Sequence, residues 1–325
     1  MLKVTYAREP QEAVKLCTAS EGAEYKAGGT DVMDRFKQRT LMPSALINVS
    51  GMARELRYIR QSDDALTAGA LTTLTELMEH PVVVERMPVL FQSTDHTATP
   101  QIRHVATVGG ALCQRPRCVY LRHPDFQCRK KGGAVCYAQI GDSSTHAIFD
   151  NELCCAVHAS TLGAALLALD ATLEVWMPGE NAARVVTMQE FFTLPEHNAR
   201  VENSLPAGSF VEAVRIPLPM GVTKQAYERA SPRLLADWGE VEVCAVLWLE
   251  GNRITDSRVV LGSVGRTPRR ATETEARLKG QPLTRDVVVY AAQAAAAGAR
   301  PLKDNQHKVT LTNNTVQATL EGLLS

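Results

Sequence analysis

Nothing in this 325-residue chain is apolar for long enough to cross a membrane as a helix; its longer apolar runs, such as 164–169 and 243–249, fall far short of the roughly 20 residues a span requires. Excess charge is also missing. The 35 basic residues balance 35 acidic ones, which excludes recruitment of nucleic acid or an anionic surface by bulk electrostatics. The charged, apolar and small-residue order of a secretory signal is absent, because Met1-Leu2-Lys3-Val4-Thr5-Tyr6 runs straight into a strand-like pattern. The cytoplasm is the expected compartment, with co-export to the periplasm on a partner's signal as the other route. There is no internal repeat and no low-complexity linker. The cysteines form neither the Cys-x-x-Cys knuckles common in zinc sites nor the Cys-x4-Cys-x2-Cys spacing of plant-type [2Fe-2S] proteins.

What remains is an ordinary globular composition, 45% hydrophobic, long enough for two or three domains with their own cores. The periodicity predicts α+β structure. A strand at 2–6, a helix at 10–19, a glycine turn, a helix at 32–38 and a strand at 45–49 open the chain. A strand at 65–68, a helix at 71–80 introduced by Thr72 and Thr73, a helix at 162–169 and a strand at 172–177 follow. The last domain begins near 217–222, with a hairpin of 241–249 and 253–264 about Glu250-Gly251-Asn252 and helices at 269–278, 285–297 and 312–324. The expected division is 1–217, with subdomains of about 1–56 and 57–217, and then 218–325.

Two diglycine turns carry the first chemical signal. Lys26-Ala27-Gly28-Gly29-Thr30-Asp31 and Ala106-Thr107-Val108-Gly109-Gly110 both let backbone N–H groups approach a pyrophosphate with no Cβ in the way. Either turn taken alone is equally the mark of a tight bend, with Thr30 or Asp31 capping the helix that follows.

The second signal is the distribution of eight cysteines. Cys17 and Cys244 sit in apolar runs and are expected in the core, whereas Cys113, Cys118, Cys128, Cys136, Cys154 and Cys155 crowd a segment at 114–157 that has no sustained periodicity. Such a segment needs a cross-link to be ordered. Cys118, Cys128 and Cys136, with Cys154 or Cys155, supply four thiolates for an iron–sulfur cluster, and Arg115, Arg117, Arg122, Arg129, Lys130 and Lys131 would offset its charge. Structural zinc, scattered buried thiols and a basic nucleic-acid patch remain the competing readings, and His146 and His158 are hydrogen-bonding residues before they are ligands.

Around these signals the sequence resembles the flavin-binding subunits of the xanthine oxidase family. The resemblance rests on residues 27–31, Leu46-Ile47-Asn48-Val49-Ser50, Ala68-Gly69-Ala70-Leu71-Thr72, and Gln101-Ile102-Arg103 ahead of the second diglycine, and it continues through 211–217 and 261–271. It implies the two-subdomain FAD-binding fold of the vanillyl-alcohol-oxidase type, with an iron–sulfur loop inserted at 114–157 and a C-terminal α/β domain. Carried over, it implies FAD contacts from Lys26, Ala27, Gly28, Gly29, Thr30, Asp31, Val32, Met33, Thr107, Gly109, Gly110 and Gln114, and from Arg229 where the family has lysine. Ala111 and Thr161 stand where the family has Asn and Asp, each change removing about one hydrogen bond, roughly 0.5–1.5 kcal/mol. Gln114-Arg115-Pro116-Arg117-Cys118, the later Cys128 and Cys136, and His146-Ala147-Ile148 resemble the [4Fe-4S] insertion of the periplasmic aldehyde oxidoreductase and 4-hydroxybenzoyl-CoA reductase branches, which implies Cys154 as the fourth ligand. The implied activity is electron relay in a heterotrimer, between a [2Fe-2S] small subunit joined to a molybdenum-cofactor large subunit and an external redox partner. A standalone FAD oxidase and a scaffold that has lost flavin are the alternatives.

Overall fold

The computed structural model describes residues 2–233 and 237–324. Three sheets organise them. The first is parallel, with β1 (Lys3–Tyr6) and β2 (Glu24–Lys26) flanking β3 (Ala45–Asn48). All four residues of β3 are buried, as expected of the middle strand in a covered parallel sheet. The helix Pro10–Thr18 starts on a proline at its first position and turns Ala13, Val14 and Cys17 onto that sheet.

The second sheet is antiparallel, in the order β4 (Ile59–Gln61), β5 (Ala65–Gly69), β8 (Phe210–Pro217), β6 (Thr172–Trp176), β7 (Arg184–Thr187). β5 and β8 are far apart in sequence, and their pairing brings residues near 210 beside residue 69. The helix Leu74–Glu79 begins three residues later than the sequence pattern suggests. Thr73 and Glu76 form a capping box, and Thr72 is used instead to hold the Tyr58 carbonyl at 2.8 Å. The helix Thr161–Ala168 is buried on every side.

The third sheet is an antiparallel meander of β9 (Val222–Ala230), β10 (Val241–Glu250), β11 (Arg253–Gly262) and β12 (Arg269–Arg270). The segment 269–278, read from sequence as one helix, is β12 followed by the helix Thr272–Leu278. The last helix starts earlier than its pattern, at His307, and runs to Glu321. β10 is covered on both faces. Val241, Val243, Ala245, Leu247 and Leu249 join the core under the C-terminal helices, while Cys244 and Val246 join the core of the second sheet. Among the described residues no helix is long and apolar enough to cross a membrane. The stretch between the helix Val108–Leu112 and Thr161 holds only single helical turns, including Val119–Arg122, and no strand.

Candidate functional site

The two diglycine turns face one cleft. Ala27, Gly28, Gly29, Thr30, Asp31 and Val32 line one wall, and Thr107, Gly109, Gly110 and Gln114 line the other. The turns nearly touch: a Cβ on Gly28 would lie 1.9 Å from the Val105 carbonyl oxygen, so only glycine fits there. Gly29 holds a left-handed φ of +80°. Lys26 and Met33 stand beside that residue instead of on the cleft wall, with side-chain carbons 3.5 and 3.2 Å from where a Gly29 Cβ would project. Arg229 is not brought to the cleft. It lies on β9, its Nη1 donating to the carbonyls of His96 at 2.8 Å and Asp237 at 2.9 Å.

The two turns differ in what their backbones have left to offer. The N–H groups of Val108, Gly109 and Gly110 already donate to Thr72 O, Ala70 O and Thr107 Oγ1. Among the described residues, the N–H groups of Gly28, Gly29, Thr30 and Asp31 donate to no protein acceptor. A run of free N–H groups in a turn is an anion cradle, so the residues present fit a pyrophosphate at the first turn, while the second supplies a close wall.

Asp31 occupies the cap position of the helix Val32–Lys37 but makes no capping hydrogen bond. Its carboxylate accepts from Arg122 Nη2 at 2.5 Å and from the Arg115 N–H at 3.3 Å, with Arg117 at 3.4 Å and Arg35 at 3.6 Å. Sequence reasoning missed the rest of the lining, chiefly Tyr25, Arg35, Leu71, Ser209 and Phe210. Tyr25 donates to the Gly208 carbonyl at 2.7 Å and meets Phe210 edge-on, a contact between β2 and the start of β8, far apart in sequence, for which no local motif exists.

In the insertion, Cys118, Cys128, Cys136 and Cys154 line a single small cavity, together with Tyr120, Leu121, Lys130 and Tyr137. Cys155 is directed elsewhere, its thiol donating to the Asn151 carbonyl at 3.3 Å, and Cys113 lies on the other cleft. Burial pushes the Cys118 thiol up to about 12, and the Cys154 thiol is raised by its hydrogen bond with Cys136 and by burial. Among the described residues no group of three or more His, Cys, Asp or Glu side chains converges on a point suited to a single metal ion. Four thiols lining one cavity are the donor set that a [4Fe-4S] cluster would require, one thiolate to each iron. His146 Nε2 lies 3.3 Å from Cys118 Sγ. His158 is outside the cavity, packed against Phe192, and burial with the Lys130 charge holds it far below the usual imidazole range, at about 3.

Most of the basic side chains expected to balance a cluster are engaged by other groups: Arg115 with Glu202, Arg117 and Arg122 with Asp31 and Asp34, Arg129 with three carbonyls. Arg129 and Lys130 are the two of them that line the cavity, and the Lys130 Nζ is bonded to Glu202. Thr161, where a carboxylate was expected from the family pattern, donates to Glu242 Oε1 at 2.8 Å, so a carboxylate stands beside that position from β10.

A two-domain α+β chain with a cleft of this kind, an anion cradle facing an apolar floor, is a dinucleotide-binding flavoprotein in architecture. Residues 1–219 match the FAD binding domain in molybdopterin dehydrogenase, and residues 225–321 match the CO dehydrogenase flavoprotein C-terminal domain. The chain therefore belongs to the FAD-binding subunits of the molybdopterin dehydrogenases, oxidoreductases of the xanthine dehydrogenase family. It is 31% identical to the aldehyde oxidoreductase FAD-binding subunit PaoB of Escherichia coli (strain K12), over 98% of each chain. The carbon monoxide dehydrogenase medium chain of Hydrogenophaga pseudoflava is 27% identical, over 87% of this chain and 81% of that one. The fold matches the solved carbon monoxide dehydrogenase from Hydrogenophaga pseudoflava that lacks the Mo-pyranopterin moiety, with a TM-score of 0.77 at 23% identity, over 99% of this chain and 97% of the other.

Proposed function

We propose that this chain is the flavin and iron–sulfur electron-transfer subunit of a heterotrimeric molybdenum hydroxylase, acting between a [2Fe-2S] small subunit and an external redox partner. The observation that carries the reading is the gathering of four thiols, Cys118, Cys128, Cys136 and Cys154, around one cavity in a subunit whose diglycine cleft suits FAD. Bound there, FAD and a [4Fe-4S] cluster supply the electron chemistry, while the protein sets position and environment. The first-turn N–H groups of Gly28 to Asp31 hold the pyrophosphate, Gly109 and Gly110 form the close wall, and Tyr25, Leu71 and Phe210 exclude water from the floor. No side chain is assigned as general acid or base. The organic substrate is handled by the large molybdenum subunit, and the full-length likeness to an aldehyde oxidoreductase subunit makes an aldehyde the first substrate to try. Protein purified without oxygen should carry a bleachable flavin band and about four irons per chain. A colourless or zinc-loaded protein rejects the reading.

A further inference from the structure

The cysteine insertion and the flavin cleft share a wall. Cys118 and Arg122 are the two ends of one helical turn, joined by the hydrogen bond from the Arg122 N–H to the Cys118 carbonyl at 2.9 Å. The Cys118 thiol lines the cavity, while the Arg122 guanidinium reaches the other way and uses all three nitrogens. Nη2 meets Asp31 at 2.5 Å, Nη1 meets Asp34 at 3.2 Å and Nε donates to the Pro116 carbonyl at 2.9 Å. A second route leaves the same cavity through Lys130, which is bonded to Glu202. Glu202 pairs with Arg115 at 2.8 Å, and the Arg115 N–H donates to the other oxygen of Asp31 at 3.3 Å. Both routes end on the carboxylate next to the free N–H groups of the first glycine turn.

We propose that the insertion is a working part of the flavin site: Arg122, through Asp31 and Asp34, fixes the Gly28-Gly29 turn in its phosphate-accepting shape, so that FAD affinity depends on the insertion being folded around its four thiols. The proposal rests on reading those thiols as the cluster site. Exposed ion pairs contribute little, but the Asp31 and Arg122 side chains are only 15% and 10% exposed. Removing the arginine leaves a largely buried carboxylate, held only by the longer contacts of Arg117 and Arg35 and by the Arg115 N–H, beside the place a pyrophosphate must occupy, and truncating one partner of such a pair costs more than the pair itself contributes. The spacing of the two sites then has a second meaning: loading the cluster prepares the cleft, and flavin binds best last.

The test measures FAD dissociation constants by flavin fluorescence in the full chain, as isolated and after iron chelation without oxygen, for wild type, Arg122→Ala, Arg122→Lys, Asp31→Asn and the Arg122→Ala/Asp31→Asn double variant. Iron is counted in every sample. Wild type should bind FAD about tenfold or more weakly once iron is removed, and Arg122→Ala should be comparably weak and indifferent to chelation. The double variant should bind no worse than Arg122→Ala alone, because the two residues act as one unit. Iron-loaded Arg122→Ala with wild-type affinity overturns the proposal, as does chelated wild type with unchanged affinity. If Arg122→Ala does not fold, Arg122→Lys, which keeps the charge and loses the fork, carries the same comparison. Iron-free wild type sinks the cluster reading instead, while the Arg122 comparison still judges the grip on the turn.

Discussion

At the scale of single residues, Gly28 and its neighbours set what the cleft can hold. A methyl group at 28 has nowhere to go, because the Val105 carbonyl oxygen is backbone and lies 1.9 Å from the ideal Cβ position. Gly28→Ala should therefore part the two turns and weaken FAD binding by about a hundredfold while leaving the circular dichroism of the fold intact, as flavin titration would show. Gly29→Ala should be milder, costing about 1–2 kcal/mol for the left-handed backbone alone. Wild-type affinity in Gly28→Ala would mean that the turns do not need to approach. The diglycines are legible in the sequence as turns, and the resemblance says what they bind. The division of labour between them is not legible, since it depends on which N–H groups the carbonyls of Ala70 and Thr72 have already claimed.

At the scale of elements, β10 explains both a success and a miss. Its apolar run at 243–249 reads as a strand because the adjoining Glu250-Gly251-Asn252 closes a hairpin. What periodicity does not reveal is that its two faces serve two cores, which turns Glu242 inward to a fully buried position between them. Burial raises the Glu242 carboxyl above its ordinary value, against hydrogen bonds from Thr161 and Tyr227 and the charge of Arg229. A raised carboxyl contributes its full stability below the unfolded value near 4.5 and loses it as pH rises through the folded one. Glu242→Gln, which keeps an acceptor for Thr161 and Tyr227, should thus be more stable than wild type at about pH 8, by on the order of 1 kcal/mol, and closer to it at about pH 5. Thermal melts at the two pH values decide it, and a constant gap would refute the assignment. The helix Leu74–Glu79 shows a smaller limit of the same kind: two threonines in a row announce a cap, and only the Tyr58 carbonyl decides that Thr73 is the one.

At the scale of the whole molecule, the insertion is held from both ends of the chain. Asp31 and Asp34 grip it from the N-terminal domain, while the fully buried Lys308 donates to the carbonyls of His146 at 3.1 Å and Ser263 at 2.7 Å. Asn305 adds a bond to the same His146 carbonyl at 3.0 Å, and Asp304 accepts from Ser143. Lys308→Met should take the Lys308 donor from the Ser263 carbonyl and leave the His146 carbonyl with Asn305 alone, lowering stability by about 1–3 kcal/mol and speeding loss of iron to a chelator, with flavin content measured alongside. Iron release at the wild-type rate would show that the C-terminal helix does not brace the cluster loop. None of this bracing is legible in the sequence of 114–157, where an irregular, cysteine-rich stretch suggests a cross-link but says nothing of the supports around it.

The strand shared by two cores also has a consequence for how the molecule can come apart. The two family matches, 1–219 and 225–321, meet near the short connection between β8 and β9, yet β10 lays Cys244 and Val246 into the core of the second sheet and Val243 and Ala245 into the core under the C-terminal helices. Severing that connection would cut the polypeptide without separating the halves, because neither half owns a finished interior. In assembly terms the C-terminal portion is a lid sealed to its vessel.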